Sequence, residues 1–125
     1  MVRDDLLYTK EHEWIKADGD VGIVGITDYA QSELGDIVFI ELPAAKKSVA
    51  AGEAFATIEA VKAVSDVYAP VSGEIIEVNE ALRTAPDIVN NDPYGDGWMV
   101  KIKMSNRSEL DNLLSPQDYK DLIGE

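Results

Sequence analysis

The stretch "TIEAVKAVSDVYAP" spans Thr57–Pro70, and its reading decides what the chain is built to display. The runs "AFATIE" (Ala54–Glu59) and "VSDVYA" (Val64–Ala69) on either side of the turn are rich in branched and aromatic residues and read as strands. They leave Ala60–Ala63 for the turn. A two-residue hairpin loop ordinarily uses Gly or Asn to reach positive φ, and neither is present. The spacing therefore predicts a type I turn centred on Val61 and Lys62, which any L-residue adopts. That geometry pushes Lys62 out at the tip, clear of both strands, with Glu59 and Asp66 a few residues away. The small residues Ala60 and Ala63 leave room for another protein to grip the turn. Residue type alone makes such a lysine a solubilising surface charge, so its meaning depends on what surrounds it.

Outward from the hairpin, "VGIVGI" (Val21–Ile26), "DIVFIEL" (Asp36–Leu42), "GEIIEV" (Gly73–Val78) and "WMVKIK" (Trp98–Lys103) also read as strands. The last two alternate apolar and polar residues, as half-buried strands do. "TDYAQSELG" (Thr27–Gly35) reads as a short helix capped by Thr27 or Asp28 and stopped by Gly35. "SELDNLL" (Ser108–Leu114) has a capping-box-like start at Ser108. "SPQDYKDLIG" (Ser115–Gly124) carries a serine cap, Pro116 at the first helical position and a terminal glycine. Short strands at this spacing, with no linker or low-complexity tract, predict one domain built as a small β-sandwich or flattened barrel with short helices.

The chain has 125 residues and no cysteine, which excludes disulfides, thiolate metal sites and thiol redox chemistry of its own. Its 24 acids against 11 bases give a net charge of −13, a surface that repels nucleic acid and anionic lipid. Such a charge favours protein partners with basic docking surfaces. No apolar run approaches the roughly 18 residues of a membrane span, and the N-terminus "MVRDDLLYTK" has neither a signal-peptide core nor transit-peptide composition. A soluble protein, cytosolic or already processed, is expected.

The inventory of catalytic groups is thin. His12 is the only histidine, "HEW" is not the HExxH of a zinc protease, and no GxSxG elbow accompanies it. It reads as a surface or packing residue. "GDVGIVG" is neither GxGxxG nor a P-loop, and its glycines read as a bulge or a close backbone approach. "NNDPYGDG" (Asn90–Gly97) lacks the register of a calcium loop and reads as turns.

"IEAVKA" followed by "SDVYAPVSGEIIEVN" resembles the lysine-bearing hairpin of lipoyl and biotinyl carrier domains. The flanks select one member. "YTKEHEW" (Tyr8–Trp14), "VGITDYAQSELGDIVFIELP" (Val24–Pro43), "EAVKAVSD" (Glu59–Asp66), "SGEIIEVNEAL" (Ser72–Leu82), "NNDPYGDGWMVKIK" (Asn90–Lys103) and "LDNLLSPQDY" (Leu110–Tyr119) resemble the H-protein family of the glycine cleavage system, in order, over nearly all of residues 8–119. The resemblance implies a mainly β, lipoyl-domain-like β-sandwich (a barrel-sandwich hybrid) with short flanking helices, including C-terminal ones, over a single domain, 1–125. It implies that Lys62 is the lipoyl-lysine, with Glu59, Val61, Ala63 and Asp66 as neighbours in the attachment motif. Alanine at position 60 departs from the serine that family members often carry there, which bears on recognition by a lipoylating enzyme. Biotin carriers are expected to flank their lysine with methionines, and Val61 and Ala63 argue against that.

The resemblance further implies a carrier that works as a tether, not a catalyst. Its partners would be a pyridoxal-phosphate glycine decarboxylase, a folate-dependent aminomethyltransferase, a dihydrolipoamide dehydrogenase and a lipoate-attaching enzyme, with the carrier itself a cytoplasmic monomer. A mitochondrial location would require a removed transit peptide. A lipoyl-lysine arm of about eleven bonds reaches about 14 Å. "EHEW" is expected to lie beside the hairpin and bring Glu13 and Asp66 towards the ammonium of the aminomethyl-loaded arm. Alternative readings are an unmodified β-sandwich interaction module, which leaves the motif series without an account, an H-like lipoyl protein for lipoate relay or sulfur oxidation, and the lipoyl domain of a 2-oxoacid dehydrogenase. The Tyr8–Trp14 segment and the C-terminal helices disfavour the last.

Overall fold

In the computed structural model, which describes residues 2–125, strands form where branched and aromatic residues cluster. The strands are β1 (Leu7–Tyr8), β2 (Glu13–Asp18), β3 (Val21–Ile26), β4 (Ile37–Glu41), β5 (Ser48–Val49), β6 (Ala54–Ala60), β7 (Val64–Tyr68), β8 (Gly73–Val78) and β9 (Val100–Met104). They form a six-stranded sheet, β1-β2-β3-β9-β8-β5, and a three-stranded sheet, β4-β6-β7, with antiparallel pairing throughout. The apolar core draws Ile15, Val24, Ile75 and Ile102 from the large sheet and Ile40, Ile58 and Val67 from the small one. The expected β-sandwich with short helices is therefore what the chain adopts.

Four expected strands shift at their ends, β6 by running one residue further to Ala60. Trp98 and Met99 lie outside β9, and β4 and β7 are each trimmed. Strand β2 begins inside the "HEW" segment, where the alternation is hidden because Glu13, Trp14 and Ile15 are all buried. Two one-turn helices, α2 (Ala81–Thr84) and α3 (Ile88–Asn91), fall outside the stretches that read as helical, the second running into the Asn90–Gly97 segment read as turns.

Helix α1 (Asp28–Leu34) takes Thr27 as its cap, with the Ala30 N–H donated to Thr27 Oγ1 at 3.1 Å. The C-terminal helix α4 (Pro116–Ile123) is capped by Ser115 and stopped by left-handed Gly124, as the sequence predicts. The 3₁₀ helix Arg107–Asn112 begins two residues earlier than a cap at Ser108 would place it. Its cap is Asn106, whose side chain accepts the Ser108 N–H. Asn106 Oδ1 also accepts the Ser108 hydroxyl at 2.6 Å, so Ser108 lies inside the first turn with its side chain engaged and does not cap the helix.

Tyr119 fastens α4 to the N-terminal strands. Its ring stacks on Tyr8 at 4.4 Å between centroids, and both rings are fully buried. Trp14 belongs to the same cluster and donates its Nε1–H to the Pro93 carbonyl at 3.0 Å. Its indole covers Gly25, the residue opposite it on β3. The glycines of β3 thus serve a close approach. A Cβ at position 25 would sit 2.8 Å from the indole. Gly25→Ala is expected to cost about 1–3 kcal/mol by forcing the indole off its site, read as a lowered urea midpoint at unchanged slope.

Candidate functional site

The β6–β7 hairpin carries Lys62 at its exposed tip. None of residues 60–63 takes positive φ, so the turn is made by ordinary L-residue geometry. The hairpin closes through the Ala60 N–H donated to the Ala63 carbonyl at 2.8 Å. Its tip is fixed from outside, because the Val61 N–H is donated to the Asp36 carbonyl at 2.9 Å.

The residues on either side of Asp36 are held by Asn90, in α3. The Asn90 amide donates to the Gly35 carbonyl at 2.9 Å and to Gln31 Oε1 at 3.0 Å, while its Oδ1 accepts the Ile37 N–H at 2.9 Å. One side chain thereby clamps the connection on which the lysine tip rests. Gly35, at φ +77°, leaves space for the lysine stem. A Cβ there would lie 3.0 Å from Lys62 Cε.

Beside the hairpin lies a cleft of about 260 Å³, lined by α1, by β7 and by the segment preceding β2. Glu11, Glu13, Glu33 and Asp66 bring four carboxyl-bearing residues to its lining. The expected approach of "EHEW" to the hairpin is present in this respect, although the two acids singled out differ in setting. Asp66 is exposed, on the outer face of the small sheet, and its Oδ1 accepts the Thr57 hydroxyl at 3.2 Å. Glu13 is not a surface acid at all, being 2% exposed.

Glu13 accepts two hydrogen bonds, one on each oxygen. Oε1 takes the Thr9 hydroxyl, and Oε2 takes the Tyr68 N–H of β7 at 3.1 Å. The direction at Thr9 is forced. Its oxygen already accepts the Glu11 N–H at 3.2 Å and the Glu13 N–H at 3.1 Å, so its one proton goes to Glu13. Burial pushes the Glu13 carboxyl up to about 7, against the opposing pull of the two donors.

His12 lines the same cleft and has φ 70°. Its Nδ1 lies 2.9 Å from the Tyr119 hydroxyl, which lies 2.7 Å from Thr27 Oγ1. The orientation that uses every proton runs from Thr27 to Tyr119 to His12 Nδ1 and leaves the Nε2–H tautomer. Burial lowers the His12 pKa, opposed by Glu11 and Glu33, and pushes Tyr119 up to about 12. His12 thus acts in packing, as its sequence context predicts, joining the cleft to the C-terminal helix.

Thr9 and Asn90 lie inside stretches that carry the resemblance, but neither they nor the Tyr68 N–H was given a role by it. A backbone donor leaves no sequence signal, and Asn90 sits in a run that reads equally well as a turn. Among the described residues no cluster suited to a metal ion occurs.

The Glu13 geometry sets a pH dependence. Below pH 4.5 the group is protonated in both folded and unfolded chains. Between there and about 7 the native chain holds a proton that the unfolded chain has released, so stability falls as pH rises. Against Glu13→Gln, the wild-type protein is expected to lose on the order of 3 kcal/mol across that window. Urea unfolding at a series of pH values measures the difference.

The comparisons with known proteins converge. The family model described as glycine cleavage H-protein matches residues 6–125. A glycine cleavage system H protein of Carboxydothermus hydrogenoformans is 58% identical over 125 residues, covering 100% of this chain and 96% of the relative. That of Staphylococcus carnosus is 52% identical over 124 residues, covering 99% and 98%. The crystal structure of a glycine cleavage system H protein from Mycobacterium marinum superposes with a TM-score of 0.91 at 39% identity, covering 99% of this chain and 100% of that one. With its lysine tip and its acidic cleft in place, this chain belongs to the glycine cleavage H-protein family.

Proposed function

We propose that the chain, as one carrier domain over residues 1–125, bears lipoate in amide linkage on Lys62 and shuttles the aminomethyl group of glycine within the glycine cleavage system. The observation that carries this reading is the fixed, exposed presentation of Lys62 beside a cleft with a buried carboxyl. Its partners are the glycine decarboxylase, the aminomethyltransferase, the dihydrolipoamide dehydrogenase and a lipoate-attaching enzyme, in a cytoplasmic setting. The bacterial relatives and the lack, among the described residues, of any helix long and apolar enough to cross a membrane accord with that setting.

The chain fits the group. Lys62 offers a primary amine at a solvent-exposed tip, and Gly35 keeps the root of the arm clear. When bound, the dithiolane supplies the sulfur and redox chemistry that a chain without cysteine lacks. Asp66 lies four residues beyond Lys62, roughly 13 Å along a strand, so an arm of about 14 Å reaches the cleft.

An ammonium entering the cleft meets Glu13, whose buried carboxylate gains a counter-charge that water does not otherwise give it. Thr9 and Tyr68 hold that carboxylate in place, so little reorganisation is needed when the charge arrives. Asp66 contributes from an exposed position, where screening reduces its pull to about 1 kcal/mol or less. The chain's role is to position and shelter the cargo, leaving bond-making to its partners.

Two measurements test this reading. Lys62→Arg retains the charge but is expected to abolish both lipoylation and carrier activity, because guanidinium does not form the amide. Peptide mapping that locates lipoate on another lysine would refute the assignment. Glu13→Ala and Asp66→Ala are expected to accept lipoate normally yet lose the aminomethyl cargo faster in water, with the larger effect at Glu13. Wild-type decay in both variants would remove the sheltering role.

A further inference from the structure

Two rows of side chains cross the outer face of the small sheet next to the lysine tip. Strand register aligns Phe39, Glu59 and Val64 in the first row, and Glu41, Thr57 and Asp66 in the second. The intervening row is turned inward, with Ile40 at 1% and Ile58 at 0% exposure. The first row leaves large apolar side chains in water, with Phe39 48% and Val64 66% exposed, and Val61 at the tip is 75% exposed. Three carboxylates, Glu41, Glu59 and Asp66, share the face with them.

We infer that this face is the docking seat of the enzyme that acylates Lys62, and that the partner presents an apolar cup flanked by Lys or Arg side chains. The inference rests on Lys62 being the lipoylated residue and adds the surface through which it is loaded. Reach selects this occupant over the others. From Cα to Nζ a bare lysine spans five bonds, about 6 Å. An enzyme that takes Nζ into its active site must therefore close over the tip and cover Val61 and the adjoining row. A lipoylated arm of about 14 Å lets later partners act while standing off the sheet. The rim of carboxylates on a chain of net charge −13 supplies the complementarity to a basic partner.

The reaction so served is an acyl transfer from a lipoyl mixed anhydride with a phosphate monoester. The neutral Lys62 Nζ attacks the carbonyl carbon, a C–N bond forms and the C–O bond to phosphate breaks. The proton from nitrogen passes to a base of the partner, and the phosphate monoester departs with the bonding electron pair.

The test uses the full-length unmodified protein with a purified bacterial lipoate–protein ligase, lipoate and ATP. Phe39→Thr and Val64→Thr keep a strand-forming residue but remove apolar contact. Ile76→Thr, on the large sheet and 43% exposed, is the control. Each of the first two is expected to lower kcat/KM for lipoylation about tenfold, chiefly through KM, with the control unchanged. Driven to full lipoylation, both should then serve as aminomethyl carriers with the wild-type apparent KM. Unchanged lipoylation kinetics would overturn the proposal. So would an equal loss in the control, or a matching loss in carrier KM. Failure of the wild-type chain to be acylated at Lys62 would instead overturn the parent reading and this one with it.

Discussion

Glu13 is a carboxyl group taken out of water at the seam between the two sheets, and the architecture around the cleft is arranged to tolerate it. Its residue opens β2 of the large sheet, while one of its oxygens accepts the Tyr68 N–H at the end of β7 in the small sheet. Strand β7 is an edge, so that N–H would otherwise need water or another partner. Burying an unpaired carboxylate costs several kcal/mol, and two donors recover only part of that. The residual cost is visible as the raised pKa. A stability-optimised core would have no reason to place an acid there. The proposed approach of a cationic cargo would supply one, because a counter-charge offsets the cost of burial.

The lysine tip depends on a different kind of support. Its hairpin has few contacts of its own at the turn, and its position follows from Asp36, whose carbonyl receives the Val61 N–H. Asn90 braces the residues on both sides of Asp36 and links them to α1 through Gln31. The Lys62 side chain thus grows from a root held by backbone hydrogen bonds. Flexibility at the tip then belongs to the long Lys62 side chain and not to the loop beneath it, an arrangement that would suit the proposed presentation to several active sites.

The C-terminal helix contributes to the cleft although it lies outside the sandwich. Tyr119 stacks on Tyr8 and completes the hydrogen-bonded chain from Thr27 to His12. His12 takes positive φ, a conformation that costs a non-glycine residue roughly 1 kcal/mol or more. The backbone turn it makes brings the Thr9 hydroxyl under the Glu13 carboxyl. Helix, strained turn and buried acid are therefore parts of one assembly.

Local pattern alone determined the β-rich class, the hairpin with Lys62 at its tip and the Ser115 cap, and it narrowed the first helix's cap to Thr27 or Asp28 and the β3 glycines to a bulge or a close approach. Each depends on residues near one another in the chain, where propensity and periodicity act. Tertiary structure decided what those rules do not reach. Strand β2 has no alternation because both its faces are covered at Glu13–Ile15, and only packing reveals that. Asn90 acquires its role from residues 53 to 59 positions away. Glu13 and Asp66 look alike as acids in an acidic chain, yet one is buried on two donors and the other is held at the surface by Thr57. The difference is one of solvation, which depends on which distant segments cover a side chain and so exists only once the chain has folded.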